Sequence, residues 1–302
     1  MPGWKDVLAE IKGSKPHNPL DQTRRKYLKQ LSDKTGRNVV AYYSAWLNQA
    51  KMHPALVIND EDKNAFMSAV HLLDRTKGLD LILHTPGGDL AATESIVDYL
   101  RQMFGTNIRA IIPQLAMSAG TMIACSCKSI IMGKQSNLGP IDPQLNGIPA
   151  NGVIAEFKEA LQQIKKDAAA IHLWQTIIGK YHPTFLGSCK NAIEWSKKIV
   201  TEWLKTAMLE GEASATRKAQ KIVRALSSSN VTFNHARHIH VDALEALGLK
   251  IDKMENDQEL QDLILTVHHT YMHTFAMTPA IKIVENQDGV AFVKIAQVTP
   301  QR

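Results

Sequence analysis

Hydrophobic and polar positions along the chain change period several times, and each change predicts an element. Residues 1 to about 36 are polar and read as helical, interrupted around Pro16 and Pro19 with an Asn18-Pro19 turn signal. Asp21 is placed to cap a helix through Tyr27, Leu28 and Leu31. Asn38-Val-Val-Ala-Tyr-Tyr43 is rich in β-formers and predicts a strand. Asn59 and Asp60 then lead a helix with Phe66, Val70, Leu72 and Leu73 on its apolar side. From Leu79 a rhythm sets in. Leu79-Asp-Leu-Ile-Leu-His84 predicts a buried strand, Thr85-Pro-Gly-Gly-Asp89 a turn, and Leu90 to Phe104 a helix. Ile108 to Pro113 predicts a second strand, Ser118 to Cys125 a short helix of small residues, and Ser129 to Met132 a third strand. Strands alternating with helices predict an α/β fold with a largely parallel sheet flanked by helices. In such folds the active site lies beyond the carboxyl ends of the strands, where both the Pro-Gly-Gly turn and Ser118 fall.

Residues 153–180 and 190–226 read as long helices, and Ser227-Ser-Ser-Asn230 as a loop. Leu260 to Phe275 is helical again. Ile281–Val284 and Val290–Val293 flank Asn286-Gln-Asp-Gly289, a hairpin signature. The expected organisation is a helical N-terminal extension (1–36), a core domain (37–250) that includes the long helices at 153–226, and a C-terminal helix and hairpin (251–302).

Composition narrows the class. The chain has 302 residues, 44% hydrophobic and 21% charged, the profile of an ordinary globular protein. Its net charge is +6, but Arg24-Arg25-Lys26 and Lys165-Lys166 are short and separated, so no nucleic-acid site is expected. No apolar run reaches 18 residues and the N-terminus has no apolar h-region, so neither membrane insertion nor a signal peptide is expected. Three cysteines, Cys125, Cys127 and Cys189, argue for reduced thiols and a cytoplasmic address. Their spacing is not that of zinc ligands. His269 and His273 stand four apart, but no Glu follows His269, and no metal is expected. The Gly-Gly turn lacks both Gly-x-Gly-x-x-Gly and Gly-Lys-Ser/Thr, so no nucleotide cofactor is expected.

Two adjacent strand ends carry the residues suited to nucleophilic chemistry. Gly87 and Gly88 expose backbone N–H groups at one strand end, able to stabilise an oxyanion. The next strand end delivers Ser118, flanked by Ala116, Ala119 and Gly120. Singly, Pro-Gly-Gly is a turn and a Ser at a helix start is a cap. The two together at adjacent strand ends favour a nucleophile facing donors.

His84-Thr-Pro-Gly-Gly-Asp89, Ala116-Met-Ser-Ala-Gly-Thr121 and Ser136-Asn-Leu-Gly-Pro-Ile-Asp-Pro-Gln144 resemble the serine dehydrogenase proteinase family. That family is related to signal peptide peptidase A within the Clp protease/crotonase superfamily. The resemblance extends to Asn38–Ser44 before the sheet and to Ala243–Leu249 and Ile283–Asn286 after it. It implies repeated ββα units, an ATP-independent serine peptidase acting on a peptide or protein substrate, and a homo-oligomer. By motif, Ser118 is the nucleophile, Gly87 and Gly88 shape the oxyanion hole, and the Ala119 N–H is its second donor. Crotonase-type members use the same fold for acyl-CoA chemistry, so an acyl or thioester enzyme and an inactive oligomeric scaffold stay open as alternatives.

The general base is undecided. Clp proteases carry a His about 25 residues after the serine, and here Leu138–Gln144 contains none. Signal peptide peptidase A-like enzymes use a lysine held near neutral by burial. On the helix after Gly152, Lys165 lies roughly 70° and Lys158 roughly 90° from the centre of an apolar side formed by Ile154, Phe157, Leu161, Ile164, Ala168 and Ile171. Lys166 lies nearly opposite, and Lys134 is a weaker candidate. His235 is an alternative base, and Asp142 either orients a base or caps a rigid turn.

Overall fold

The computed structural model describes residues 3–13, 18–49, 53–227 and 236–296. The chain opens with α1 (Trp4–Gly13) and α2 (Pro19–Thr35), followed by β1 (Asn38–Ser44), α3 (Glu61–Val70), β2 (Leu79–His84), α4 (Leu90–Phe104) and β3 (Ile108–Ile112). Next come β4 (Leu115–Ala116), α5 (Ala119–Cys125), β5 (Ser129–Met132), β6 (Asn137–Leu138) and a small hairpin of β7 (Gln144–Leu145) and β8 (Ile148–Pro149). Four helices follow: α6 (Ala150–Lys166), α7 (Ala170–Ile178), α8 (Phe185–Thr206) and α9 (Ala215–Ser227). The chain closes with β9 (Ile239–His240), α10 (Val241–Leu247), β10 (Ile251–Lys253), α11 (Gln258–Met277), β11 (Ala280–Asn286) and β12 (Ala291–Ile295).

Among the described residues the main sheet has seven strands in the order β10-β5-β3-β2-β1-β11-β12. From β10 to β1 every pair is parallel, and β11 and β12 add an antiparallel edge. The period of two sorts β2 cleanly. Leu79, Leu81 and Leu83 face one core with α3, α4, α5, α8 and α9, while Ile82 faces a second core with α2 and α11. Burial on both faces explains why β1, β2 and β11 are buried along their whole length. It also brings charges inside, and they are paired there. Asp80 binds Arg37 and Arg109, and Glu285 binds Arg24 and Arg25.

Several expectations shift. The sheet crosses the expected boundary at residue 250, since β10 forms one edge and β11–β12 the other. The predicted helix 153–180 breaks at Asp167, whose side chain takes the Ala169 N–H (2.9 Å) and competes with the helix. The predicted helix 190–226 starts earlier, at Phe185, and breaks before Ala215, where Gly211 has φ +77°. Leu72 lies beyond the end of α3 and is 86% exposed. On α6 the buried side is Ala150, Val153 and Ala160, whereas Leu161 is 62% exposed.

Candidate active site

Two neighbouring strand ends build the site. Thr85 and Ala116 form a parallel bridge. The Thr85 N–H donates to the Leu115 carbonyl (3.2 Å) and the Met117 N–H to the Thr85 carbonyl (2.9 Å). The turn after β2 therefore lies directly beside the segment that carries Ser118. A third segment clamps the turn from outside. The Ile58 N–H donates to the Gly87 carbonyl (2.8 Å), and the Asp89 N–H donates to the Ile58 carbonyl (2.9 Å). Gly87 has φ +99°, and a Cβ there would stand 2.7 Å from Ser118 Cβ and 2.9 Å from the Ala119 nitrogen. A Cβ on Gly88 would stand 2.3 Å from both backbone N and O of Ile58. Both glycines are dictated by close backbone approach.

Ser118 is half-buried and has φ 50° and ψ −114°, outside the regions open to ordinary L-residues. Such a conformation costs on the order of 1–3 kcal/mol and persists only where the surroundings impose it. Its side chain makes no capping hydrogen bond to α5, so it is not a helix cap. The neighbouring donors are unequal. The Gly87 N–H donates to Thr85 Oγ1 (3.2 Å), whereas the N–H groups of Gly88 and Ala119 have no acceptor among the described residues. The available donors beside Ser118 are therefore those of Gly88 and Ala119, with Gly87 shaping the turn between them.

Ser118 opens onto a cavity of about 520 Å³ whose walls include Val57, Met122, Ile141, Leu145 and Trp195. Trp195 on α8 is tied across to α4 by its Nε1–H, which donates to Glu94 Oε2 (3.0 Å). The far wall is anchored through Thr121, whose Oγ1 lies 2.9 Å from both the Ala116 and Gly139 carbonyls and accepts the Gly139 N–H (3.0 Å). The walls are largely apolar with few polar groups, the usual make-up of a binding cleft.

The candidate bases are placed as follows. No Lys or His is among the described residues that line the cavity. Lys158, Lys165 and Lys166 are all exposed on α6, so the expected partial desolvation of the first two is not met within one chain. The reason is that the apolar side of α6 is itself only partly covered. Lys134 is exposed, and its N–H donates to Glu255 Oε1 (2.8 Å). Asp142 is buried between Ile141 and Pro143, which line the cavity. His235 lies outside the described residues. The chain on either side of that segment does converge on the same wall. The Ile141 N–H donates to the Leu226 carbonyl (3.0 Å), and β9 pairs antiparallel with β6 through Leu138 and Ile239.

Among the described residues, the buried histidines and the cysteines are packing groups. The His273 ring lies 4.0 Å from that of Trp4, and its Nε2 meets the Trp4 carbonyl at 3.0 Å. His84 and His268 sit in the second core with ring centroids 5.2 Å apart, and burial pushes the His84 imidazole down to about 3. Cys125, Cys127 and Cys189 are free and buried, and burial pushes the first two thiols up to about 12. Among the described residues no three His, Cys, Asp or Glu side chains converge to hold a metal ion. None of the described helices is long and apolar enough to cross a membrane. Sequence reading missed Thr85, Tyr42, Asp62 and Lys282, which stand behind the turn. Their only signal is the presence of polar groups in otherwise apolar strands and at a helix start.

A mostly parallel sheet flanked by helices, with a strained serine facing a Gly-Gly turn at its carboxyl edge, defines a ClpP-like α/β protein. The chain belongs to the ClpP-like SDH-type serine proteinase family, whose profile matches residues 11–286. It is 30% identical over 240 residues to an uncharacterized protein of Methanocaldococcus jannaschii, covering 78% of this chain and 76% of that one. A second uncharacterized protein of the same organism is 28% identical over 195 residues, which is 65% of this chain and 59% of the relative. Among solved structures, the 1510-N membrane-bound stomatin-specific protease matches at 19% identity and a TM-score of 0.28, covering 66% of this chain and 92% of that one.

Proposed function

We propose that this protein is an ATP-independent serine peptidase with Ser118 as nucleophile. The observation that carries the reading is the strained, uncapped Ser118 at the mouth of an apolar cleft, beside the N–H groups of Gly88 and Ala119, which have no acceptor among the described residues. Ser118 Oγ attacks the scissile carbonyl carbon while its proton passes to a base. The resulting oxyanion takes hydrogen bonds from Gly88 and Ala119, and Gly87 holds the turn in shape. The base returns the proton to the amine as the C–N bond breaks, and water then hydrolyses the acyl-enzyme. An extended substrate lies between the Pro-Gly-Gly turn and α5, adding a strand by backbone pairing.

Lys158, Lys165 and His235 are the bases to be tested, with Asp142 as orienter. An exposed lysine is protonated at neutral pH and needs burial to act as a base. The half-covered apolar side of α6 supplies a route, because a second copy of the chain packed there desolvates its lysines. The protein is accordingly proposed to work as a homo-oligomer on peptide or protein substrates, with its reduced thiols suiting the cytoplasm. It is proposed to need neither nucleic acid nor membrane insertion.

A fluorophosphonate probe tests the reading. Labelling is expected in the wild type, lost in Ser118→Ala and retained when other serines are replaced. Among Lys158→Ala, Lys165→Ala and His235→Ala, the variant that loses labelling and flattens its pH profile identifies the base. No labelling at any pH overturns the peptidase and leaves the scaffold. Thioester turnover that survives in Ser118→Ala points instead to a crotonase-like enzyme.

A further inference from the structure

Behind the Pro86-Gly87-Gly88 turn lies a buried polar network that the bond-breaking steps do not use. Lys282 on β11 and Asp62 on α3 are both fully buried. Lys282 Nζ donates to Asp62 Oδ1 and Oδ2 (2.8 Å each) and to the Val57 carbonyl (2.8 Å). All three of its protons are committed, so it is not the proton acceptor for Ser118. Asp62 Oδ2 also accepts from the Tyr42 hydroxyl (2.8 Å) and the Asn59 N–H (3.0 Å).

Two arms run from this pair to one peptide unit. In the first, the Tyr42 side chain, whose hydroxyl donates to Asp62, lies against Thr85, and Thr85 Oγ1 accepts the Gly87 N–H (3.2 Å). In the second, Lys282 holds Val57, and the adjoining Ile58 donates to the Gly87 carbonyl and accepts from the Asp89 N–H. Gly87 is thus gripped at its N–H and at its carbonyl, and that carbonyl belongs to the same peptide as the Gly88 N–H. Rotation of this peptide would carry the Gly88 donor away from Ser118. Stability alone is a poor reason for such a network, since a buried ion pair is often no better than apolar packing of similar volume.

We propose that Lys282 and Asp62, acting through Tyr42, Thr85 and the Val57–Ile58 segment, are positioning residues that fix the Gly87–Gly88 peptide as an oxyanion donor. The inference rests on the Ser118 peptidase reading. Replacing Lys282 or Asp62 leaves the other charge buried and alone and risks misfolding, so the test uses the milder Tyr42→Phe and Thr85→Val, with Thr85→Ser as the rescue. Each protein is measured by amide hydrogen exchange over residues 85–89 and by peptide cleavage.

The expected result is exchange at least ~10-fold faster in that segment alone. It is accompanied by a kcat about 10–100-fold lower with KM within about twofold, and Thr85→Ser restores both. Unchanged exchange and kcat in Tyr42→Phe and Thr85→Val overturn the proposal. So does faster exchange throughout the chain with a lowered Tm, which is the mark of a merely structural role. A wild type that neither labels nor cleaves sinks the peptidase reading, while the exchange data still decide whether the network holds the turn.

Discussion

Ser118 and His84 are both held where an isolated residue would not stay, for opposite reasons. Ser118 is strained in its backbone because Met117 is hydrogen-bonded to Thr85 on one side and α5 starts at once on the other. His84 is strained in its charge, because the ring lies wholly in the second core and neither nitrogen has a hydrogen-bond partner among the described residues. Burial lowers its pKa from 6.5 to about 3. The unfolded chain therefore takes up a proton as the pH falls below 6.5 while the folded chain does not. The proton-linked cost of His84 is absent above pH 6.5, and stability is lost as the pH falls from there toward 3, by about 1.4 kcal/mol per pH unit. His268, also buried and pushed down, adds to the slope. In urea titrations between pH 6.5 and 4, His84→Leu is expected to lose about one proton's worth of that slope. A slope equal to the wild type's would refute the assignment.

Helix α4 ties the turn to the fold. Its N-cap Asp89 accepts the Ala92 N–H (2.8 Å) through Oδ1 while its own N–H goes to Ile58. Asp89→Ala is expected to cost about 1 kcal/mol in urea denaturation and Asp89→Asn much less, because only the former removes the side-chain acceptor. The longer strands β1, β2, β3, β5, β11 and β12, the turn and the serine helix were legible from their periods and their glycines, whereas the edge strand β10 and the two-residue strands were not. The breaks at Asp167 and Gly211 were not, because an apolar pattern continues across them and the interruption comes from one side chain or one backbone angle. The desolvation expected for Lys158 and Lys165 failed for a related reason. A helical stripe says which residues share a side, not whether that side is covered.

The proposed homo-oligomer would cover that side. Leu161, Ile171 and Leu173 on α6 and α7 are 62%, 42% and 61% exposed, a cluster of large apolar side chains on neighbouring helices. Leu161→Glu combined with Leu173→Glu is expected to lower the mass measured by multi-angle light scattering. If Lys158 or Lys165 is the base, the same change slows probe labelling. An unchanged mass overturns the proposal that this face is an interface between copies of the chain.

Local pattern settled the α/β class and the parallel character of the first strands, because these depend on period; it put Ser118 and the Gly87–Gly88 turn at strand ends, and the folded chain set those two ends side by side. The union of 37–250 with the C-terminal strands in one sheet came from the folded chain. So did the choice of Gly88 and Ala119 as available donors and the network from Lys282 to Thr85. Lys282 and Asp62 are 220 residues apart in sequence, and a buried charge in a strand looks like a surface one until its partner arrives.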